Sequence, residues 1–290
     1  MRLDGRRESS NVEDRRGMKG STKAGLGIGG IIVAALLTWV LGGDPTSVIN
    51  DAGGLGAIIS GGNGSQTEYV PTAEEEELAK FSKQILAGTE DVWTKVFKKM
   101  GKTYKPPTLI LFSGSVQSGC GNATASVGPF YCSADECLYI DLSFFKQMRD
   151  QMGAGGDFAY AYVIGHEVGH HVQHLLGTLE SAHQKMAQLS ETEANKISVR
   201  IELQADFYAG VWGYYDNEMF GSLEDGDIEE ALNCATKIGD DYLQKQAQGY
   251  TVPESFNHGT SRQREKWLRR GLSTGDMTQG NTFQYSDSQL

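Results

Sequence analysis

The sequence predicts an α+β, predominantly helical fold. Two runs rich in β-formers, 108–112 (TLILF) and 138–142 (LYIDL), supply a small sheet. Beyond residue 157 the pattern is mostly helical, and Pro253 is the only proline. In the first of those helical stretches stands H-E-x-x-H, as His166, Glu167 and His170. Residues four apart share one face of a helix, so both imidazoles can reach one Zn²⁺ while Glu167 projects beside them to take a proton from a metal-activated water.

In chain order, residues 1–23 carry seven Lys or Arg against four Asp or Glu, and read as a mobile basic tail in the cytoplasm. Residues 24–42 (AGLGIGGIIVAALLTWVLG) are uncharged. As a helix they would rise ~28 Å, close to the hydrocarbon thickness of a bilayer. They read as an N-terminal transmembrane helix, with Trp39 at the interface. The basic side precedes it, so the positive-inside rule expects the rest of the chain outside the cytoplasm. A cleaved signal peptide is the competing reading; the long polar start and the lack of an A-x-A-like site speak against it. Residues 43–70 (GGDP, DAGGLGA, SGGNGSQ) read as a Gly-rich linker.

The folded domain is expected over 71–270. Thr72 followed by Glu74–Glu77 is a helix start. Leu78, Phe81, Ile85, Val92, Trp93, Val96, Phe97 and Met100 form its apolar stripe, with Gly88 a candidate break. Pro106-Pro107 ends it, the strand 108–112 follows, and 113–137 reads as a loop. After the strand 138–142 comes a short helix, 143–151. Asp157 is expected to cap the H-E-x-x-H helix and Gly177 to stand just past its end. Residues 181–220, 227–248 and 261–270 read as helices, and the polar residues 271–290 as a poorly ordered tail.

The net charge is −11, and the basic start leaves the remainder more acidic still. Such a chain repels a phosphate backbone, which excludes nucleic acid as a partner. None of Cys120, Cys132, Cys137 and Cys234 forms a C-x-x-C pair, which disfavours a Cys₄ zinc or thioredoxin-like site.

A catalytic zinc takes three protein ligands and leaves one position open. The metzincin pattern would need Gly at 173 and His at 176; Gln173 and Leu176 stand there instead. Glu202-Leu-Gln-Ala-Asp206 is the better source, because Glu and Asp four apart share a helix face. Glu202 can bind the ion, and Asp206 can accept a hydrogen bond from a liganding histidine and fix its tautomer. His171, His174 and His183 read as helix-surface or supporting residues. His258, on a loop before a helix, is either a local turn residue or a donor to the oxyanion that forms when a carbonyl is attacked.

These segments carry a resemblance that runs nearly end to end. GRRESSNVEDRRG, the apolar run, CGNATASVGPFYC, LYIDLSFF, YVIGHEVGHHVQ, ELQADFYAGVW and NHGTSRQREKW resemble the bacterial, membrane-anchored family called "putative neutral zinc metallopeptidase". The resemblance implies zinc on His166, His170 and Glu202, and Glu167 as the catalytic carboxylate. It implies a gluzincin-like domain, a small sheet packed on two active-site helices. Cys120 and Cys132 match the family's paired cysteines, and a domain outside the cytoplasm would let them form a disulfide. Cys137 and Cys234 are additional and could form a second bridge.

The resulting expectation is a zinc-dependent endopeptidase of the bacterial inner membrane. A peptide or protein substrate would lie extended near an edge strand within 120–142. The alternative is a membrane-tethered binding or chaperone-like module whose zinc is structural, in a site closed by four protein ligands.

Overall fold

The computed structural model describes residues 1–18 and 69–290. The expected anchor 24–42 and nearly all of the expected linker lie outside the described residues. Among the described residues, no helix is long and apolar enough to cross a membrane.

Helix α1 (Ala73–Lys99) opens with a reciprocal capping box. Glu75 N–H donates to the Thr72 side chain while the Glu75 side chain accepts from the Thr72 N–H. Its buried face carries Ile85, Val92, Trp93, Val96 and Phe97. The helix runs unbroken through Gly88. That glycine makes room rather than a break: a Cβ there would lie 2.7 Å from Arg6 Nη2 and 2.8 Å from Asp216 Oδ1.

Among the described residues the sheet has four strands: β1 (Val12–Asp14), β2 (Thr108–Phe112), β5 (Phe130–Cys132) and β6 (Cys137–Asp141), in the order β1-β2-β6-β5. β1 and β6 run parallel to β2, and β5 runs antiparallel to β6. Both faces of β2 are covered, which explains its continuous apolar run. Leu109 and Leu111 join the main core against the helices. Ile110 and Phe112 pack beneath a separate hairpin, β3 (Ser115–Ser118) and β4 (Gly121–Thr124), together with Val116, Ala123 and Tyr139. The hairpin and β5 fall in the stretch expected to be a loop; strands of three or four residues carry too little alternation to register.

The helical layer follows. α2 (Ser143–Asp150) leads to α3 (Asp157–Leu175), which bears H-E-x-x-H. Asp157 is the first helical residue; Gly156 holds the cap position and makes no side-chain bond. Gly177, at φ +77°, stands just past the end. The expected helix 181–220 is two, α4 (Thr178–Met186) and α5 (Glu191–Phe220), divided where Ser190 caps α5. The expected helix 227–248 is likewise two, α6 (Asp227–Lys237) and α7 (Asp240–Gln248). α8 (Ser261–Thr274) starts with a Thr260–Gln263 capping box. Trp212 of α5, Phe158 of α3 and Trp267 of α8 lie in the core these helices share.

Two further expectations are corrected. Residues 271–290 are not a loose tail. Arg200 donates to the carbonyls of Thr282 (2.7 Å) and Tyr285 (2.8 Å), and Gln204 Nε2 to that of Gly280 (2.8 Å). Residues 1–18 are not a mobile tail either. β1 extends the sheet, pairing Val12 with Leu109 and Asp14 with Leu111. Arg6 meets buried Asp216 at 2.7 Å, and Arg7 meets buried Glu90 at 2.8 Å. The arginines looked solvated because their partners are distant in sequence.

Cys120 and Cys132 form a disulfide that ties the β3–β4 turn to β5, with Cα atoms 5.8 Å apart. Cys137 and Cys234 are free, so the second bridge does not form. Burial pushes the Cys137 thiol up to about 11 and the Cys234 thiol up to about 12, so both favour the neutral thiol.

Candidate metal centre

The site is made where α3 crosses α5. The two helices approach closely at Gly169, between Glu167 and His170: a Cβ there would lie 2.8 Å from the Ala205 carbonyl oxygen. Only glycine permits that spacing. It sets Glu202 and Asp206, one turn apart on α5, against the histidines of α3. Ligand atoms of His166, His170 and Glu202 all lie within 4.8 Å of one another. His166 Nε2 is 3.1 Å from Glu202 Oε2, and His170 Nε2 is 3.5 Å from Glu202 Oε1.

Each imidazole is held from behind. His166 Nδ1–H donates to Asp206 Oδ1 at 2.8 Å. The Gln173 amide spends its N–H groups on the Ile201 carbonyl (2.8 Å) and on Gln204 Oε1 (3.1 Å). Its oxygen therefore faces His170 Nδ1, 3.0 Å away, and accepts the proton there. Both outer nitrogens carry protons, so both Nε2 lone pairs are available on the Glu202 side.

Three acceptors converging in a buried site repel one another unless a cation or extra protons stand among them. Two imidazole nitrogens and one carboxylate are the donor set of a catalytic zinc, so the residues fit the ion. Protons alone produce telling shifts. Burial disfavours a charged His166, yet the Asp206 carboxylate and the bonds to Asp206 and Glu202 raise its pKa to about 10. Burial likewise opposes ionising Glu202, but the positive charge of His170 and the His166 hydrogen bond hold its pKa well below the usual carboxylate range.

Asp206 is fully buried and anchors a wider network. It accepts from the Tyr162 hydroxyl (2.6 Å) and from Arg264 Nε and Nη2 (both 2.9 Å). The Arg264 guanidinium, brought in by α8, balances the carboxylate charge. Arg264, Tyr162 and Gln173 escaped the sequence reading. Gln173 faces the site because it lies three residues after His170, but an amide has no metal signature; Arg264 arrives only through tertiary packing. Replacing Gln173 with Met is expected to weaken zinc binding about 10- to 100-fold, measured by competition with a chromophoric chelator.

Glu167 is buried, and it lines the same cavity as His166, His170 and Glu202. Burial raises its pKa, partly offset by positive charge on His170 and His166. His258 lines that cavity too. Asp240 holds it, accepting from the His258 backbone N–H (2.7 Å) and facing Nδ1 at 3.2 Å, which leaves Nε2 unengaged by Asp240.

His171 and His174 turn away from the ligand cluster. His171 Nε2–H donates to the Lys105 carbonyl (2.7 Å), so its Nδ1 accepts from the Tyr131 hydroxyl (2.9 Å). This clips edge strand β5 to the site helix. His174 pairs with Glu180. His183 is exposed, as expected, and stands among the residues that line the cavity; partial desolvation lowers its pKa.

The family described as "Putative neutral zinc metallopeptidase" matches residues 1–283. The chain is 48% identical to the Escherichia coli (strain K12) protein YpfJ over 292 aligned residues, covering 98% of this chain and 99% of that protein. It is 44% identical to the Mycobacterium tuberculosis (strain H37Rv) protein Rv2575 over 202 residues, 66% of this chain and 67% of that one. Both relatives are described as uncharacterized. No solved structure matches the chain. With the match spanning nearly its whole length, residues 1–283, the chain belongs to the putative neutral zinc metallopeptidase family.

Proposed function

We propose that the protein hydrolyses peptide bonds with a zinc ion held by His166, His170 and Glu202. The observation that carries this reading is the convergence of those three ligands beside Glu167, inside an open cleft. Bound there, zinc supplies a Lewis acid and brings water's pKa toward neutrality. Glu167 accepts the proton of the attacking water and passes it to the departing nitrogen. His258, steadied by Asp240, is the donor for the charge that builds on the scissile carbonyl oxygen. Asp206 and Gln173 keep both imidazoles in the binding tautomer.

The cleft has a volume of about 450 Å³, and its walls are mostly apolar, with Val127, Phe130, Phe144, Met152, Ile201 and Leu243 among them. Among the described residues its carboxylates are Glu167, Glu202 and Asp240, and its one arginine, Arg264, is already paired with Asp206. Substrates with uncharged apolar side chains next to the cut bond suit such walls, and acidic ones do not. β5 pairs only with β6 among the described residues, and Phe130 and Tyr131 line the cleft. An extended peptide can therefore add to its open edge. The Cys120–Cys132 disulfide favours a site of action outside the cytoplasm.

The test is digestion of a proteome-derived peptide library by the purified full chain with zinc, with and without chelator. Zinc-dependent new termini flanked by apolar residues are expected. If the zinc-bound protein cut no peptide, the binding-module reading would take its place.

A further inference from the structure

We infer that residues 1–18 and residues 69–290 lie on the same side of any membrane the protein meets. The inference is independent of the proposed chemistry.

Two buried carboxylates of the domain depend on the N-terminal segment. Glu90, 6% exposed, accepts from Arg7 Nη2 (2.8 Å), Ser9 Oγ (2.5 Å) and Asn11 Nδ2 (2.7 Å). Asp216, with no exposure, pairs with Arg6 (2.7 and 3.3 Å) and accepts from Ser222 Oγ (2.6 Å). With residues 1–18 across a bilayer, Glu90 would lose Arg7, Ser9 and Asn11, and Asp216 would lose Arg6.

The domain also leaves a shaped place for this segment. Gly88 lacks a Cβ where the Arg6 guanidinium and Asp216 meet. That guanidinium lies 3.7 Å over the Phe220 ring. β1 occupies what would otherwise be the outer edge of β2. The backbone bonds from Leu109 N to Asn11 O (2.9 Å) and from Arg15 N to Leu111 O (2.7 Å) fix it there. Arg16, nearly buried, reaches Asp14 and Glu76 (2.8 Å).

The chain leaves and re-enters the described structure at adjoining points. A Cβ built on Gly17 would lie 2.5 Å from the Tyr69 Cβ. No separation is available between the two ends in which to fit a bilayer ~30 Å thick. The arginine excess that suggested a cytoplasmic tail is accounted for by the fold: Arg6, Arg7, Arg15 and Arg16 each pair with a carboxylate.

The experiment uses two variants of the full chain, Ser10→Cys and Thr192→Cys, each adding one cysteine at an exposed position. Spheroplasts are treated with a membrane-impermeant maleimide before and after permeabilisation, with the unaltered chain as blank. The two cysteines should label under the same condition, with an intact-to-permeabilised ratio matching within about twofold. Labelling of both from outside, or of both only after permeabilisation, supports the inference and names the side. Labelling of one from outside and the other only after permeabilisation would overturn it.

Discussion

Glu167→Gln is expected to lower kcat/KM for peptide hydrolysis by about 10²- to 10⁴-fold while leaving zinc binding intact. The carboxamide has nearly the same shape but cannot take a proton from water. Glu167 stands outside the ligand group formed by His166, His170 and Glu202, so metal content should stay at about one ion per chain. Glu202→Gln should behave differently. It replaces a charged ligand with a neutral amide and should lose the metal together with activity. The pair of variants separates proton transfer from metal retention. Wild-type turnover by Glu167→Gln would remove Glu167 from the mechanism.

Asp206→Ala is expected to have the largest effect on stability. Asp206 has no exposure and takes hydrogen bonds from His166, Tyr162 and Arg264. Removing it strands the Arg264 guanidinium, 3% exposed, in the core. Taking one partner from a buried ion pair costs ~3–5 kcal/mol. For a domain of this size that lowers the thermal midpoint by about 10 °C, read by calorimetry. The His166 tautomer is released as well, so zinc affinity should fall about 10- to 100-fold. Asp206→Asn keeps the volume and a carbonyl for His166 Nδ1–H but still leaves the arginine unpaired. It should lose stability nearly as severely while recovering part of the zinc affinity.

The parts of this site that could be read from sequence are those that obey local periodicity. His166 and His170, and likewise Glu202 and Asp206, are each one helical turn apart, and the structure sets the two pairs against each other. The register between α3 and α5 depends on Gly169 lying against Ala205, a contact between residues far apart in the chain. Arg264 carried no signal of its own in the short helix 261–270, and Gln173 entered only as a residue that ruled out another class. The N-terminal segment shows the same limit more sharply. GRRESSNVEDRRG has the charge pattern of a solvated tail, yet its three-residue strand gains its stability from β2 and from Glu90 and Asp216. Gly88 looked like a helix break, because a pattern along one helix cannot show that the missing side chain leaves room for Arg6.

The central claim is that zinc sits on two histidines and one glutamate with a position left for water and substrate. Zinc K-edge absorption on the full-length protein tests it most directly. The expected spectrum has about two imidazole nitrogens and light oxygen donors in a four- or five-coordinate shell, with the signal lost in Glu202→Ala. A shell closed by four protein ligands, or one containing sulfur, would contradict the account.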